Sequence, residues 1–314
     1  MNRTVLVASA LARPLLEPHL PDWVDARFYT TGAEMMALAP QAEIGWFDME
    51  NKEPMLEAIH RAEKLKWLTS IYAGLDFLPF ELLRERGVIV TNGAGINAVT
   101  IAEYVLMGML TVAKGYREVV RAQDRHEWLA DSPGKVELAG SKALLLGYGA
   151  IGKLIEARLK AFDVAVTTVR RTPGPDTLGP DEWRAPLGEF DWVILAVPAT
   201  PETDAMIGAS ELAAMKPSAV ILNIARGAVI DQGALVAALR DKTIAAAFLD
   251  VTSPEPLPPG DPLWDLPNAH ITMHLSGRAQ TLMFRRSAER LIANVHRWGK
   301  GEPVEPRFDL ELGY

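Results

Sequence analysis

Residues 143–152 read ALLLGYGAIG, an apolar run followed at once by the glycine pattern GxGxxG and by the start of a helical pattern. In this context the first glycine permits a tight turn, the second lets a pyrophosphate approach the backbone, and the third allows close helix packing. The helix N-terminus then faces the phosphates. The stretch predicts a dinucleotide-binding loop formed by Gly147, Gly149, Ala150, Ile151 and Gly152.

Apolar runs alternate with helical patterns on both sides of this loop. In the second half of the chain, strands are predicted at 143–146, 164–169, 192–197, 219–224, 245–249 and 270–273, and helices at 151–162, 210–215 and 233–239. In the first half, strands are predicted at 5–8, 43–46, 67–71 and 88–91, and a helix at 55–64. The alternation is typical of α/β domains built on parallel sheets.

A long apolar helical pattern at 99–114 connects the two halves, and a helical pattern at 282–298 is followed by too few residues for a further domain. We therefore expect the C-terminal helix to pack on the first domain. The predicted fold class is α/β with two doubly wound parallel-sheet domains. A Rossmann dinucleotide-binding domain, residues 99–282, is inserted into a discontinuous flavodoxin-like substrate domain, residues 1–98 and 283–314.

Composition limits the classes of function. The 314 residues, 49% of them hydrophobic, are enough for two buried cores. A net charge of −8 would repel a polyanion, so no nucleic-acid partner is expected. Because there is no cysteine, disulfides and thiolate metal sites are excluded, and we expect no metal. The apolar run near the start of the chain is too short for a signal peptide, so we expect a cytoplasmic protein. No apolar stretch approaches the roughly 20 residues that span a bilayer, so we expect no membrane contact.

The end of the strand after the glycine loop indicates which nicotinamide cofactor is preferred. Residues 169–172 read VRRT, at a point where an acidic residue would bind the ribose 2′-hydroxyl and repel a 2′-phosphate. Arg170, Arg171 and Thr172 offer two guanidiniums and a hydroxyl, which suit a phosphate. Asp163 precedes the strand and is discounted. We predict that NADP(H) is preferred over NAD(H); the alternative is that both arginines are solvated loop residues.

A candidate catalytic set follows three predicted strands, in the segments NIARG (223–227), LDVTSPEPLP (249–258) and TMHLSG (272–277). Ligands of open α/β sheets bind beyond such strand ends, so these side chains can converge. Reduction of a 2-oxo acid needs a cation for the carboxylate, a proton donor for the carbonyl oxygen, and a partner that keeps the donor protonated. Arg226, His274 and Glu255 can fill these roles in that order. Singly, they could be a surface cation, a core histidine and a loop acid.

The glycine loop, the segment PATPET (198–203) and the three segments above occur in an order that resembles the D-isomer-specific 2-hydroxyacid dehydrogenase family over nearly the whole chain. Residues 250–258 and the arginine pair are most similar to its glyoxylate/hydroxypyruvate reductase branch. The resemblance implies hydride transfer from NADPH to a small 2-oxo acid, giving the D-2-hydroxy acid. It also implies that Arg226 and His274 contact the substrate, and that the protein is a homodimer.

The resemblance assigns further residues to the site. It implies that backbone amides of Ala73 and Gly74 hold the substrate carboxylate. The implied cofactor contacts are Thr100, Val197, Pro198, Thr203, Ile224, Ala225, Asp250 and Ser276. Trp46 stands where some glyoxylate reductases place a side chain over the substrate, and a core tryptophan at a strand end is an equal alternative.

Two positions depart from the family pattern. Met273 replaces the proline that usually precedes the catalytic histidine, and Thr252 stands where many members have phenylalanine. The first departure could loosen the backbone of the histidine. Three alternative functions stay open: reduction of a larger 2-oxo acid, a phosphoglycerate-type dehydrogenase, and a corepressor-like binding protein that senses NAD(P)H.

Overall fold

The computed structural model describes residues 3–175, 177–278 and 280–313. The chain forms two compact units, unit 1 with residues 1–97 and 279–314, and unit 2 with residues 98–278. Each unit is a layered α/β structure, and the strand pairs within its sheet are parallel.

Unit 1 contains the strands β1 (Thr4–Ser9), β2 (Val24–Tyr29), β3 (Ile44–Gly45), β4 (Trp67–Thr69) and β5 (Ile89–Thr91). Their order in the sheet, β2-β1-β3-β4-β5, is the flavodoxin order. The helices are α1 (Arg13–Leu16), α2 (Gly32–Leu38), α3 (Lys52–Arg61) and α4 (Phe80–Glu85), with short 3-10 helices at Ala10–Ala12, Glu17–His19 and Ala39–Gln41. Because the strand order reverses between β1 and β3, the loops that follow these central strands border the usual ligand position of such a sheet.

Unit 2 contains the strands β6 (Lys142–Leu146), β7 (Ala165–Val169), β8 (Thr177–Leu178), β9 (Trp192–Leu195), β10 (Val220–Asn223), β11 (Ala246–Leu249) and β12 (Ala269–Ile271). Their order, β12-β11-β10-β9-β6-β7-β8, is the Rossmann order extended by one strand. The helices are α5 (Ala98–Ala113), α6 (Tyr116–Asp124), α7 (Ala150–Lys160), α8 (Ala209–Ala214) and α9 (Gln232–Arg240), with short 3-10 helices at Leu187–Glu189, Gly227–Val229 and Pro262–Asp265.

The last helix, α10 (Gln280–Gly299), belongs to unit 1. Its buried residues Leu291 and Val295 share a core cluster with Leu6 and Ile44 of the sheet. The chain thus leaves unit 1 after β5 and returns to it at the end. Among the described helices no single one is long and apolar enough to cross a membrane; α5 and α6 pass that test only as a pair bent by 70°.

The predicted fold class is confirmed, but two strands were missed. β2 has the sequence VDARFY, in which Asp25 and Arg27 interrupt the apolar pattern, and it lies at the edge of the sheet, paired only with β1. β8 is two residues long and lies at the edge of the other sheet. The charged residues within β2 and the two-residue length of β8 leave no apolar run that would indicate a strand. The central strand β6, by contrast, is fully buried from Ala143 to Leu146.

Candidate active site

The glycine loop lies at the carboxyl end of β6, where the strand order of unit 2 reverses. Gly147 has φ +102°, and a Cβ there would lie 2.3 Å from the carbonyl oxygen of Ala196. A Cβ at Gly152 would lie 2.3 Å from the oxygen of Gly147, whereas one at Gly149 would meet no atom within 4 Å. Two glycines are therefore required by packing, and the third leaves open space at the start of α7. These residues fit a bound pyrophosphate.

The arginine pair follows β7 directly. Arg170, Arg171 and Thr172 are exposed, and the Arg170 guanidinium carbon lies 5.6 Å from the ring centroid of Tyr148, inside the glycine loop. Such a cation–π contact orients the side chain beside the loop. Asp163 lies before β7, as the sequence indicates. Arg170 therefore lies beside the glycine loop, and Arg171 follows it directly in the chain.

The three catalytic candidates follow neighbouring strands. β10, β11 and β12 lie side by side, and Arg226, Glu255 and His274 come after them in that order. Because the carboxyl ends of parallel strands meet at one edge of a sheet, the three loops start from the same edge. This is the edge that also carries the glycine loop.

His274 and Glu255 form a direct pair. The ring Nδ1 of His274 lies 2.8 Å from Oε2 of Glu255, and the side chains are 48% and 37% exposed. Glu255 also accepts a hydrogen bond from the backbone N–H of Thr252, at 3.1 Å, through its other oxygen. The carboxylate assigns the proton to Nδ1 and fixes the ring. No hydrogen bond joins Nε2 to any residue that the structure describes, so this nitrogen is the one that can exchange a proton with a ligand.

Arg226 is half-buried, and its backbone is fixed by Asn223. The Asn223 side chain donates to the oxygen of Arg226 at 2.9 Å and accepts from the N–H of Ala225 at 3.0 Å. A Cβ at Gly227 would lie 1.9 Å from the oxygen of Thr252, so glycine allows the Arg226 loop to pack on the loop that carries Glu255. The two loops are therefore held in one arrangement.

Asp250 organises the segment that carries His274. Its buried carboxylate accepts hydrogen bonds from the hydroxyl of Thr272 at 2.8 Å and from the N–H groups of Leu275 and Ser276 at 2.9 and 3.2 Å. The resemblance implied a cofactor contact for Asp250, whereas these bonds give it a structural role that sequence reasoning missed. The sequence does carry a signal for this role, since Asp250 follows a buried strand directly. A buried carboxylate there can accept hydrogen bonds only from other groups of the protein.

Met273 and His274 both have left-handed backbone angles, with φ of +54° and +56°. Such angles are costly for residues other than glycine and are maintained here by the hydrogen bonds to Asp250. Proline cannot adopt them, because its ring fixes φ at about −65°. The departure from the family pattern at Met273 therefore accompanies a backbone conformation that the usual proline would forbid.

The other predicted cofactor contacts lie in unit 2, and all except Thr100 follow a strand of its sheet. Ile224 and Ala225 are buried after β10, and Ser276 is buried after β12. The Thr203 hydroxyl donates to the oxygen of Pro198 at 2.7 Å, which closes the turn that follows Val197. Thr100 is half-buried in the first turn of α5.

In unit 1 the predicted substrate residues lie after β3 and β4. The N–H groups of Ala73 and Gly74 donate to no acceptor among the described residues, whereas the oxygen of Ala73 accepts from the Asn92 side chain at 2.7 Å. Two adjacent unused amides can bind a carboxylate. Trp46 is 3% exposed and belongs to the core of the unit. This location fits the interpretation of Trp46 as a core tryptophan at a strand end.

Asp48 is a titratable group that sequence reasoning missed. Its carboxylate accepts hydrogen bonds from the Trp46 indole at 2.7 Å, the Ser70 hydroxyl at 2.8 Å and the Ile71 N–H at 2.6 Å. Burial raises the pKa of Asp48 to about 6, although these bonds oppose the shift. The donors Ser70 and Ile71 lie 22 and 23 residues away in the chain, so no local sequence pattern predicts their hydrogen bonds to Asp48.

Comparisons with known proteins identify the family to which the chain is similar. A model of the D-isomer specific 2-hydroxyacid dehydrogenase NAD-binding domain matches residues 106–276. A glyoxylate/hydroxypyruvate reductase B of Pectobacterium atrosepticum is 31% identical over 79% of this chain and 82% of its own length. A D-3-phosphoglycerate dehydrogenase of Methanocaldococcus jannaschii is 32% identical over 79% of this chain, which spans 48% of that longer protein.

A solved structure of a family member has a fold similar to that of this chain. The D-isomer specific 2-hydroxyacid dehydrogenase of Xanthobacter autotrophicus Py2, in complex with NADPH and MES, has a TM-score of 0.80 and is 26% identical over 100% of both chains. The matched region contains the glycine loop, the arginine pair and the Arg226, Glu255 and His274 loops. The chain belongs to the D-isomer-specific 2-hydroxyacid dehydrogenase family and is an oxidoreductase with an NAD(P)-binding domain.

Proposed function

We propose that this protein reduces a small 2-oxo acid, of the glyoxylate or hydroxypyruvate type, to the D-2-hydroxy acid, and that it prefers NADPH to NADH. The observation that carries the proposal is the pairing of His274 with Glu255 at 2.8 Å, which leaves Nε2 of the ring to a ligand. The relative that is a glyoxylate/hydroxypyruvate reductase supports the choice of substrate class.

The proposed chemistry follows from the charges. The nicotinamide, when bound, supplies a hydride to C2 of the acid. His274, as imidazolium, gives the proton of Nε2 to the carbonyl oxygen, and Glu255 stabilises the imidazolium through Nδ1. Arg226 binds the carboxylate and polarises the carbonyl group. The family resemblance implies that the amides of Ala73 and Gly74, which belong to unit 1, also bind the carboxylate. In the oxidation direction, His274 is the base.

The proposed cofactor preference rests on the arginine pair. A 2′-phosphate carries negative charge and several acceptor oxygens, and guanidiniums bind it by charge-assisted hydrogen bonds. Arg170 is held beside the glycine loop by Tyr148, and Arg171 and Thr172 follow it on the same exposed turn. The relative whose structure contains NADPH supports the same preference. The contacts of Thr100, Val197, Ile224 and Ser276 with the cofactor stay proposals from the family resemblance.

We also propose that the protein is a homodimer formed by unit 2. Large apolar side chains on and after α5 and α6 are exposed, with Trp128 at 97%, Tyr116 at 58% and Val136 at 52%. An apolar surface of this kind is typical of an interface with another protein. A second copy of the chain would cover it.

The first experiment measures oxidation of NADPH and NADH in parallel with glyoxylate, hydroxypyruvate, pyruvate, phenylpyruvate and phosphohydroxypyruvate. We expect the highest kcat/KM with NADPH and either glyoxylate or hydroxypyruvate. The product from hydroxypyruvate should have the D configuration. A clear preference for phenylpyruvate would favour a larger substrate, and one for phosphohydroxypyruvate with NADH would favour the phosphoglycerate type. No turnover with any acid would contradict the proposal and favour a binding protein.

The cofactor preference has its own test. Arg171→Ala should raise the KM for NADPH about tenfold or more, since one charge-assisted phosphate contact contributes about 1.5–3 kcal/mol. The KM for NADH should change less than about twofold. Arg61→Ala, in an exposed pair with Glu57 on α3, is the control. An equal rise for both cofactors, or no rise for either, would refute the phosphate role of the arginine.

A further inference from the structure

The loop of residues 70–74, called here the carboxylate loop, is held from two sides within unit 1. On one side, the Gly93 N–H donates to the oxygen of Tyr72 at 2.7 Å and the Asn92 side chain donates to the oxygen of Ala73 at 2.7 Å. A Cβ at Gly93 would lie 1.9 Å from the oxygen of Ile71, so the segment after β5 packs directly against the loop. These contacts use the carbonyl groups of the loop.

Asp48 holds the other side of the loop. One carboxylate oxygen accepts from both the Ile71 N–H at 2.6 Å and the Trp46 indole at 2.7 Å, and the other accepts from the Ser70 hydroxyl at 2.8 Å. The Ser70 hydroxyl accepts in turn from the N–H of Tyr72 at 3.1 Å. The amides of Ile71 and Tyr72 are thus used by Asp48 and Ser70, and the next two, of Ala73 and Gly74, are left for a ligand.

The segment that carries Asp48 is itself fixed. The buried hydroxyl of Tyr29, at the end of β2, donates to the oxygen of Trp46 at 3.0 Å and to that of Asp48 at 3.3 Å. The Trp46 ring lies 6.4 Å from the ring of Phe284 on α10. Asp48 therefore joins a rigid part of the core to the carboxylate loop.

A carboxyl group at this position costs free energy because it is shielded from water, and this cost indicates a function. Burial disfavours the carboxylate, which is why the pKa of Asp48 is raised to about 6. Perturbed carboxyl groups concentrate at functional sites, where stability is exchanged for a fixed geometry. Two strong bonds into adjacent residues fix the loop more precisely than packing alone.

We propose that Asp48 is a positioning residue that fixes the carboxylate loop, and with it the direction of the Ala73 and Gly74 amides, so that they bind the carboxylate of the 2-oxo acid. This rests on the proposed function, because only that function gives the two amides a substrate. Asp48 does not touch the substrate, and its effect is on substrate binding.

The experiment compares Asp48→Ala, Asp48→Asn and the control Asp25→Ala, which removes a carboxylate of β2 that pairs with Arg27. In Asp48→Ala we expect the KM for the best 2-oxo acid to rise about tenfold or more, with kcat changed less than about threefold and the Kd for NADPH unchanged. Asp48→Asn should stay within about threefold of the wild type, because its amide oxygen can still accept from Trp46 and Ile71 and its nitrogen can donate to Ser70. Asp25→Ala should match the wild type.

Amide hydrogen exchange gives a readout that needs no substrate. Exchange in the peptide covering residues 70–76 should be about tenfold faster in Asp48→Ala than in the wild type, and unchanged in the control. If Asp48→Ala does not fold, Ser70→Ala, which removes one of the bonds, replaces it, and a threefold or larger rise in KM is expected.

The outcomes separate the two proposals. Unchanged KM and unchanged exchange in a folded variant would overturn the positioning role while leaving the reductase intact. An equal loss in Asp48→Asn and Asp48→Ala would also overturn it, because rescue by the amide is what the hydrogen-bond geometry requires. Faster exchange in a protein that reduces no acid of the panel would support the fixing of the carboxylate loop by Asp48, and it would overturn the proposed function and with it the substrate assigned to the two amides.

Discussion

The pair of His274 and Glu255 is the residue-scale feature on which catalysis should depend. We expect His274→Gln to lower kcat by about 10²–10⁴-fold, since glutamine cannot supply the proton that a positioned acid gives to the carbonyl oxygen. The Kd for NADPH should stay unchanged. Steady-state kinetics and a cofactor titration check this, with His60→Gln on the exposed surface of α3 as control. An undiminished rate would remove His274 from the mechanism.

Met273 gives a second residue-scale prediction, which runs against the family pattern. With φ at +54°, this position cannot accept proline without a change in the backbone. Met273→Pro should lose more than about 1 kcal/mol of unfolding free energy and lower kcat. Met273→Gly, which adopts positive φ readily, is the matched control and should keep the activity. A proline variant as stable and active as the wild type would show that residue 273 tolerates an ordinary backbone angle.

The sequence could indicate candidates for the chemistry, because a proton donor, its acid partner and a carboxylate-binding cation have to be particular residue types. Arg226, Glu255 and His274 were proposed on this ground, and the structure pairs two of them, His274 and Glu255. It could not predict the supporting groups. Asp48 and Asp250 act through donors contributed by other loops, and such contacts exist only once the strands are side by side.

At the scale of elements, the contact of α6 with β12 affects the titration of one histidine. His270 on β12 is half-buried, and its pKa is lowered to about 4, mainly by burial and further by the charges of Arg117 and Arg121 on α6. The pKa of this histidine is lower in the folded protein than in the unfolded chain, so the unfolded chain binds a proton first as the pH falls. The fold therefore has its full stability at pH values above the pKa of the unfolded chain. That stability is lost as the pH falls from about 6.5 to about 4.

Replacing this histidine should therefore change the acid sensitivity of unit 2. Between pH 7 and pH 4 the wild type should lose up to about 3 kcal/mol more unfolding free energy than His270→Gln, because glutamine does not titrate. Denaturant unfolding at several pH values measures the difference, and His19→Gln, an exposed histidine, should behave as the wild type. Parallel stability curves for the wild type and His270→Gln would contradict the lowered pKa.

At the scale of the whole molecule, the exposed apolar surface of unit 2 predicts self-association. Sedimentation should give a dimer of the 34.4 kDa chain, and Trp128→Glu should shift it toward the monomer, since a charge in an apolar interface is left without solvent or partner. Leu11→Glu alters a residue that is 75% exposed in unit 1, and it should leave the dimer intact. A monomeric wild type, or a variant at Trp128 that stays dimeric, would contradict an interface at this surface.

The sequence by itself determined the fold class, the dinucleotide loop and the types of group available for catalysis. These follow from local order along the chain: a buried strand, then glycines, then a helix. Tertiary structure alone decided the edge strands β2 and β8, the left-handed backbone at Met273 and His274, and the hydrogen-bond networks of Asp48 and Asp250. Each of these depends on atoms that come together from distant parts of the chain. A local sequence pattern does not specify which donors and acceptors will form hydrogen bonds across such distances.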